Sequence, residues 1–193
     1  MKRIHTIALA GVATLALVAG ASNVVPAYAQ MKEKTVTVGG AAMYPSKNIV
    51  QNAVNSKDHT TLVAAVKAAG LVKTLESPGP FTVFAPTNEA FKKLPAGTVD
   101  TLLKPENKDK LTSVLTYHVV PGRITAKDLK EKVKDGHGKA ELKTVEGKTL
   151  TVKDKDGKLT LTDDKGDTAD ITIANVMQSN GVIHVIDTVL LPG

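Results

Sequence analysis

Gly79-Pro80-Phe81-Thr82-Val83-Phe84-Ala85-Pro86-Thr87-Asn88-Glu89-Ala90-Phe91 holds all three phenylalanines of a 193-residue chain. Phe81 to Ala85 reads as a buried strand. Pro86 cannot donate to a ladder and ends the pairing, and Thr87 or Asn88 can cap a helix. Glu89 suits the positive end of that helix, and Ala90 and Phe91 return to the core. The stretch is a strand-to-helix corner fixed by aromatics, and nothing in it demands chemistry.

On the N-terminal side, Asn48 to Asn55 is consistent with a short helix. Asp58 is the expected N-cap of the next, in which Leu62, Val63, Val66 and Ala69 share one face before Gly70 closes it. Beyond the corner, Pro105 suits the first position of a helix carrying Leu111, Val114 and Leu115 on one face, and Ala126 to Val133 gives a shorter one. The period then changes from 3.6 to 2. Leu150 and Val152 alternate with polar residues, as do Leu159 and Leu161, and Asp156-Gly157 between them is hairpin-turn chemistry. Ile171 to Val176 and Val182 to Leu191 are apolar on both parities and read as strands covered on both sides. The fold class is α+β.

The ends and the composition bound the rest. Lys2 and Arg3, an apolar run from Ile7 to Ala21 and the Ala27-Tyr28-Ala29 cleavage pattern make residues 1–29 a signal peptide. Export follows, to a periplasmic or extracellular location. Residues 30–46 are small and polar, with Gly39-Gly40 and Pro45, and read as a flexible arm ahead of a domain over 47–193. Two basic residues and no acids leave with the signal, so the formal charge of +6 becomes +4. The remaining basic residues are lysines interleaved with acids, apart from Arg123. That pattern is a solvated surface and lacks the arginine clusters of nucleic-acid readers, so no nucleic-acid partner is expected. No later segment is apolar enough to span a membrane, so no insertion is expected after signal cleavage. With no cysteine, the core alone must hold the fold.

Thr82 to Phe91 resembles the first signature segment of fasciclin domains. Tyr117-His118-Val119-Val120-Pro121-Gly122 is similar to the tyrosine-histidine segment in the middle of that domain, and Asn180 to Asp187, through Pro192, resembles its closing signature. Order and spacing agree, and the lead-in at Met43 to Val50 resembles small secreted bacterial members. The resemblance implies a β-sandwich or wedge with flanking α-helices. It also implies adhesion or matrix association, a protein or polysaccharide partner, weak self-association, and no established catalytic residues or cofactor. The tyrosine-histidine segment is the one linked to adhesion, so Tyr117, His118, Val119, Val120 and Pro121 are the candidate partner-binding residues. The alternative is structural, because His118 continues the apolar face of Leu111, Val114 and Leu115.

Other chemistry is weaker. His184 and Asp187 interrupt an apolar strand, but residues three apart on a strand face opposite ways. The histidines lack zinc spacings, and no metal site is expected. Asp154, Asp156 and Gly157 fail a calcium loop at both its ends and suit a hairpin turn. Gly136-His137-Gly138 lacks the third glycine of a phosphate fingerprint. A hydrolase would need Ser113, His118 and Asp128 assembled from distant places. A small-ligand binder or stress-related protein of the envelope is the other alternative.

Overall fold

The computed structural model describes residues 34–193. The signal peptide predicted at residues 1–29, and residues 30–33 of the predicted arm, lie outside them.

The aromatic corner forms as expected, as strand β3 (Phe81–Pro86) followed by a short helix (Asn88–Lys92), with the Thr87 hydroxyl accepting from the Ala90 N–H at 3.2 Å. Thr87 being the cap frees Asn88 for a longer reach. Its Oδ1 accepts from Thr61 N at 3.0 Å and Thr60 Oγ1 at 3.2 Å, and its Nδ2 donates to Lys57 O at 2.8 Å. The helix Thr60–Ala69 has no cap from its own preceding residue, and Asp58 instead sits in a 3-10 turn over Lys57–His59. The orphan N–H at that helix start is therefore met by Asn88 from the corner, not by Asp58.

β3 lies between β4 (Val119–Pro121), antiparallel to it, and β9 (Gly181–Ile186), parallel to it. The sheet continues through β8 (Thr168–Gln178), β7 (Lys158–Thr162), β6 (Thr149–Lys155) and β5 (Lys139–Lys143), in the order β4-β3-β9-β8-β7-β6-β5. Its ends curl toward each other, and Val145 N donates to Val119 O at 2.8 Å beyond the last rungs. This mixed, nearly closed sheet with helices packed on it is the expected α+β wedge.

A parallel pair buried on both faces needs two cores. On one face, Val83, Ala85, Ile183 and Val185 pack with Ile49 of helix Ile49–Ala53, Leu62 and Val66 of helix Thr60–Ala69, and Leu111, Val114 and Leu115 of helix Lys108–Tyr117. On the other, Phe84 and Ile186 pack with Leu129 and Val133 of helix Ala126–Asp135 and with Leu150, Val152, Leu159 and Leu161 of the β6–β7 hairpin. That hairpin is the predicted one. Asp156 (φ 52°) and Gly157 (φ 86°) both take left-handed backbone, as a type I′ turn requires.

Three expectations change. Residues 36–43 are not part of a flexible arm. They form a hairpin, β1 (Val36–Val38) and β2 (Ala41–Met43), with Val38 and Met43 buried, and Gly39-Gly40 make its tight turn. The Asn52 side chain ties it down, accepting from Tyr44 N at 3.0 Å and donating to Tyr44 O at 2.8 Å and to Gln178 Oε1. Secondly, β8 is not covered on both sides. Two register irregularities between Ile171 and Val176, with Asn175 at φ 59°, turn Asp170, Thr172 and Asn175 to solvent. Thirdly, β9 stops at Ile186, and Val189 and Leu190 enter the core from irregular backbone.

Asn180, in the β8–β9 turn, is the main staple of the helical side. Its Oδ1 accepts from Ile49 N at 3.0 Å, and its Nδ2 donates to Leu75 O at 2.7 Å and Ser77 O at 2.8 Å. Asn180→Ala leaves these backbone groups without partners and is expected to cost about 2–4 kcal/mol. Urea unfolding with an unchanged m-value checks this, and a loss below about 0.5 kcal/mol would remove Asn180 from the account.

Candidate functional site

The tyrosine-histidine segment sits where the two cores meet. Helix Lys108–Tyr117 ends there because His118 is its C-cap and the chain then enters β4. The Tyr117 ring is completely buried in the second core, while its hydroxyl donates to Thr149 O at 3.0 Å and accepts from Asp164 N at 3.3 Å. Burial, with help from the Asp164 carboxylate, pushes the phenol up to about 12.

His118 bridges three elements. One ring nitrogen, Nδ1, lies 2.7 Å from Val114 O and must carry the proton, because Nε2 accepts from Leu190 N at 3.1 Å. Its own carbonyl accepts from Phe84 N at 2.9 Å. Only the neutral ring satisfies this arrangement, and burial holds its pKa down to about 4.

Tyr117, His118, Val119 and Val120 are all buried, so direct contact with a partner through these four side chains is not available in the folded domain. They are buried because the segment lines both cores at once. Pro121 alone of the candidate residues is exposed. Their remaining part is positional: β4 delivers Pro121, Gly122 and Arg123 to the surface.

The other candidates resolve into structural partners. Ser113 Oγ donates to Glu146 Oε1 at 3.1 Å, and Asp128 closes a capping box with Thr125, its Oδ2 accepting from Thr125 N at 2.8 Å. With both ring nitrogens of His118 committed, Ser113, His118 and Asp128 form no catalytic set. His184 is buried against Phe84, their rings 5.6 Å apart, with Nε2 donating to Ile124 O at 2.9 Å and Nδ1 accepting from Asn175 N at 3.4 Å. Asp187 accepts from Asp170 N at 2.9 Å. Asp163 spends its carboxylate on the backbone N–H groups of Lys165, Asp167 and Leu191, at 2.9 to 3.0 Å.

Beside the exposed end of β4 runs a groove of about 530 Å³ whose lining includes Lys34, Met43, Pro45, Arg123, Asn175 and Met177. Two cations and no acid line it. Arg123 Nη2 donates to Gln178 O and Ser179 O, both at 3.0 Å, which fixes the guanidinium along one wall. Sequence reasoning missed this groove because four of its nine lining residues fall in the supposed arm. The available signal was the one arginine beyond residue 29, two places after Pro121.

Comparison with known proteins now bears on this geometry. A family model described as the fasciclin domain matches residues 57–192. The chain belongs to the fasciclin domain family. Among its relatives, protein sll1483 of Synechocystis is 50% identical over 173 residues, covering 90% of this chain and 89% of that one. Immunogenic protein MPB70 of Mycobacterium bovis is 38% identical over 145 residues, 72% of this chain and 66% of that one. A solved FAS1 domain pair from the insect cell adhesion molecule Fasciclin I superposes with a TM-score of 0.68 at 19% identity, covering 83% of this chain and 58% of that one. The β1–β2 hairpin and Lys34 lie ahead of the matched fasciclin region. Among the described residues, no helix is long and apolar enough to cross a membrane.

A depressed histidine pKa makes this fasciclin domain acid-sensitive in a defined window. The unfolded ring titrates near 6.5 and the folded His118 near 4, so the unfolded state binds the proton first as pH falls. Stability is complete above about pH 6.5, and His118 alone is expected to remove about 2–3 kcal/mol by pH 4.5. Urea midpoints at pH 7 and 4.5 check this against His118→Leu, which is expected to be less stable at pH 7 but to lose less on acidification. An equal loss in both proteins would assign the acid sensitivity elsewhere.

Proposed function

We propose that this protein is an exported, non-enzymatic adhesion module that holds an anionic protein or polysaccharide at a cell surface or matrix. Contact is made through the Lys34–Arg123 groove and the neighbouring Pro121 rim. The observation that carries this reading is the acid-free groove, walled by a fixed guanidinium, opening where the end of β4 at Pro121 leads to Arg123 at the surface. Tyr117, His118, Val119 and Val120 then act by locking β4 in place. That the insect protein with the similar fold is a cell adhesion molecule supports the same class of activity. Binding fits better than hydrolysis because the ring nitrogens of His118 and His184 are engaged by backbone groups.

One groove with two cations gives weak, salt-sensitive attachment, so adhesion gains strength from several copies side by side. Beads carrying alginate, with dextran beads as the uncharged control, are expected to retain multivalent mature protein only in the charged case and only at low salt. Lys34→Glu with Arg123→Gln is expected to reduce retention at least tenfold. Lys34→Glu alone, which breaks no hydrogen bond described above, is expected to reduce it several-fold. Equal retention of all these proteins, with Lys134→Glu as the distal control, would overturn the reading.

A further inference from the structure

The loop that carries Arg123 into the groove, residues 122–126, is pinned to three strands of the sheet. Gly122 N donates to Pro80 O at 2.9 Å, and the Thr82 hydroxyl donates to Gly122 O at 2.7 Å while accepting from Ile124 N at 2.9 Å. His184 Nε2 donates to Ile124 O at 2.9 Å, and Ala126 N donates to Asn175 Oδ1 at 2.8 Å. Thr82 and His184 are fully buried, so these bonds are shielded from water. The guanidinium therefore stands on a loop that needs no ordering when a partner arrives.

A second observation falls on the same groove. Asn175, one of its lining residues, has φ 59° beside a register irregularity of β8. A non-glycine residue persists in left-handed backbone only where its surroundings impose it, and such residues gather at binding sites. Here the imposing groups are His184, whose Nδ1 accepts from Asn175 N at 3.4 Å, and Ala126, which holds the side-chain oxygen.

The lining residues divide by chemistry into donors and hydrocarbon. Lys34 and Arg123 are cations, and the side-chain oxygens of Asn175 and Gln178 are already taken, by Ala126 N and Asn52 Nδ2. The Ser179 hydroxyl is the one oxygen of a lining side chain left to accept. Val36, Pro45 and Met177 supply apolar surface, and methionine adapts to irregular aliphatic shapes. Among the described residues no aromatic ring lines the groove. A glycan would bring several hydroxyl donors per ring to side chains that offer one acceptor, and each unpaired donor costs binding. A carboxylate brings acceptors only, and an aliphatic side chain beside it covers the hydrocarbon. We propose that the groove takes an extended peptide segment in which an aspartate or glutamate adjoins a large aliphatic residue. This rests on the groove being the contact surface and narrows its partner from any anion to polypeptide.

Four probes test this on the mature protein at low salt, followed by backbone ¹⁵N–¹H shifts. Three are end-blocked hexapeptides, Gly-Ser-Asp-Leu-Ser-Gly, Gly-Ser-Asp-Ser-Ser-Gly and Gly-Ser-Asn-Leu-Ser-Gly, and the fourth is a trisaccharide carrying one glucuronate. The Asp-Leu peptide is expected to give saturable changes around Arg123, Asn175 and Met177 and to bind about tenfold tighter than each of the others. Met177→Ser is expected to remove its lead over the Asp-Ser peptide, and Lys34→Ala to cut its lead over the Asn-Leu peptide. Should Met177→Ser fail to fold, the order of the four probes on the unaltered protein decides the point. Equal binding of the Asp-Leu and Asp-Ser peptides, or an unchanged lead in folded Met177→Ser, would overturn the peptide assignment and leave the groove as a reader of charge alone. Tighter binding of the trisaccharide would overturn it in favour of a polysaccharide. No saturable change with any probe, together with equal retention of the groove variants on alginate, would overturn both this assignment and the groove itself.

Discussion

The parallel pairing of β3 with β9 is the constraint from which the rest of the domain follows. The two strands are about a hundred residues apart in sequence, yet run in register from Phe81 opposite Gly181 to Pro86 opposite Ile186. A parallel pair cannot be made by a tight turn, and it is stable only when both faces are dry. Every residue of β9 is accordingly buried. The chain supplies two roofs: helices from before β3 and the helix Lys108–Tyr117 over Val83, Ala85, Ile183 and Val185, and the helix Ala126–Asp135 with the β6–β7 hairpin over Phe84 and Ile186.

Two roofs on one pair of strands create seams, and buried polar side chains close them. His118 ties the end of helix Lys108–Tyr117 to Leu190, and Asn180 ties the β8–β9 turn to helix Ile49–Ala53 and to the short helix Val72–Glu76. His184 joins β9 to Ile124, and Asn52 joins the N-terminal hairpin to Gln178. Each meets backbone groups that the change of direction would otherwise strand, so these residues fix geometry more than they add net stability. Neutral histidines serve because they donate at one nitrogen and accept at the other, which a phenylalanine or a lysine cannot do.

What the sequence disclosed was local. The aromatic corner, the type I′ turn at Asp156-Gly157 and the amphipathic helices depend on neighbours within a few residues, and their chemistry is written where they form. Asn88 capping a helix that begins 28 residues earlier, in preference to nearby Asp58, depends on tertiary placement that no window contains. The β1–β2 hairpin failed for a related reason: Val36, Val38 and Met43 are too few to show a period, and Gly39-Gly40 suits a tight turn as well as a loose arm. At β8 the polar Thr172 and Asn175 within the apolar run mark an open face, and the register irregularities that set it there depend on pairing with β9 rather than on any local pattern. At the candidate site the helical face holding Leu111, Val114 and Leu115 already predicted an inward His118, while the burial of Val119 and Val120 depends on β4 pairing with β3, which no local pattern shows.

That inward orientation changes what family membership conveys. The motifs that carry the fasciclin resemblance are largely buried: Val83, Phe84 and Ala85 in the first, Tyr117 to Val120 in the second, Val182 to Ile186 in the third. Side chains with no exposed surface cannot choose a partner, so matching them establishes the scaffold and leaves the partner open. Selection has to reside in residues the scaffold displays. Here Arg123 is displayed at the end of β4, while Lys34 and Pro45 come from the segment ahead of the matched region. A relative sharing every buried motif but lacking a cation at these positions would keep the fold and present a different surface. The buried histidine that first suggested adhesion thus belongs to the scaffold, and under the proposed reading partner choice rests with a lysine and an arginine at the rim.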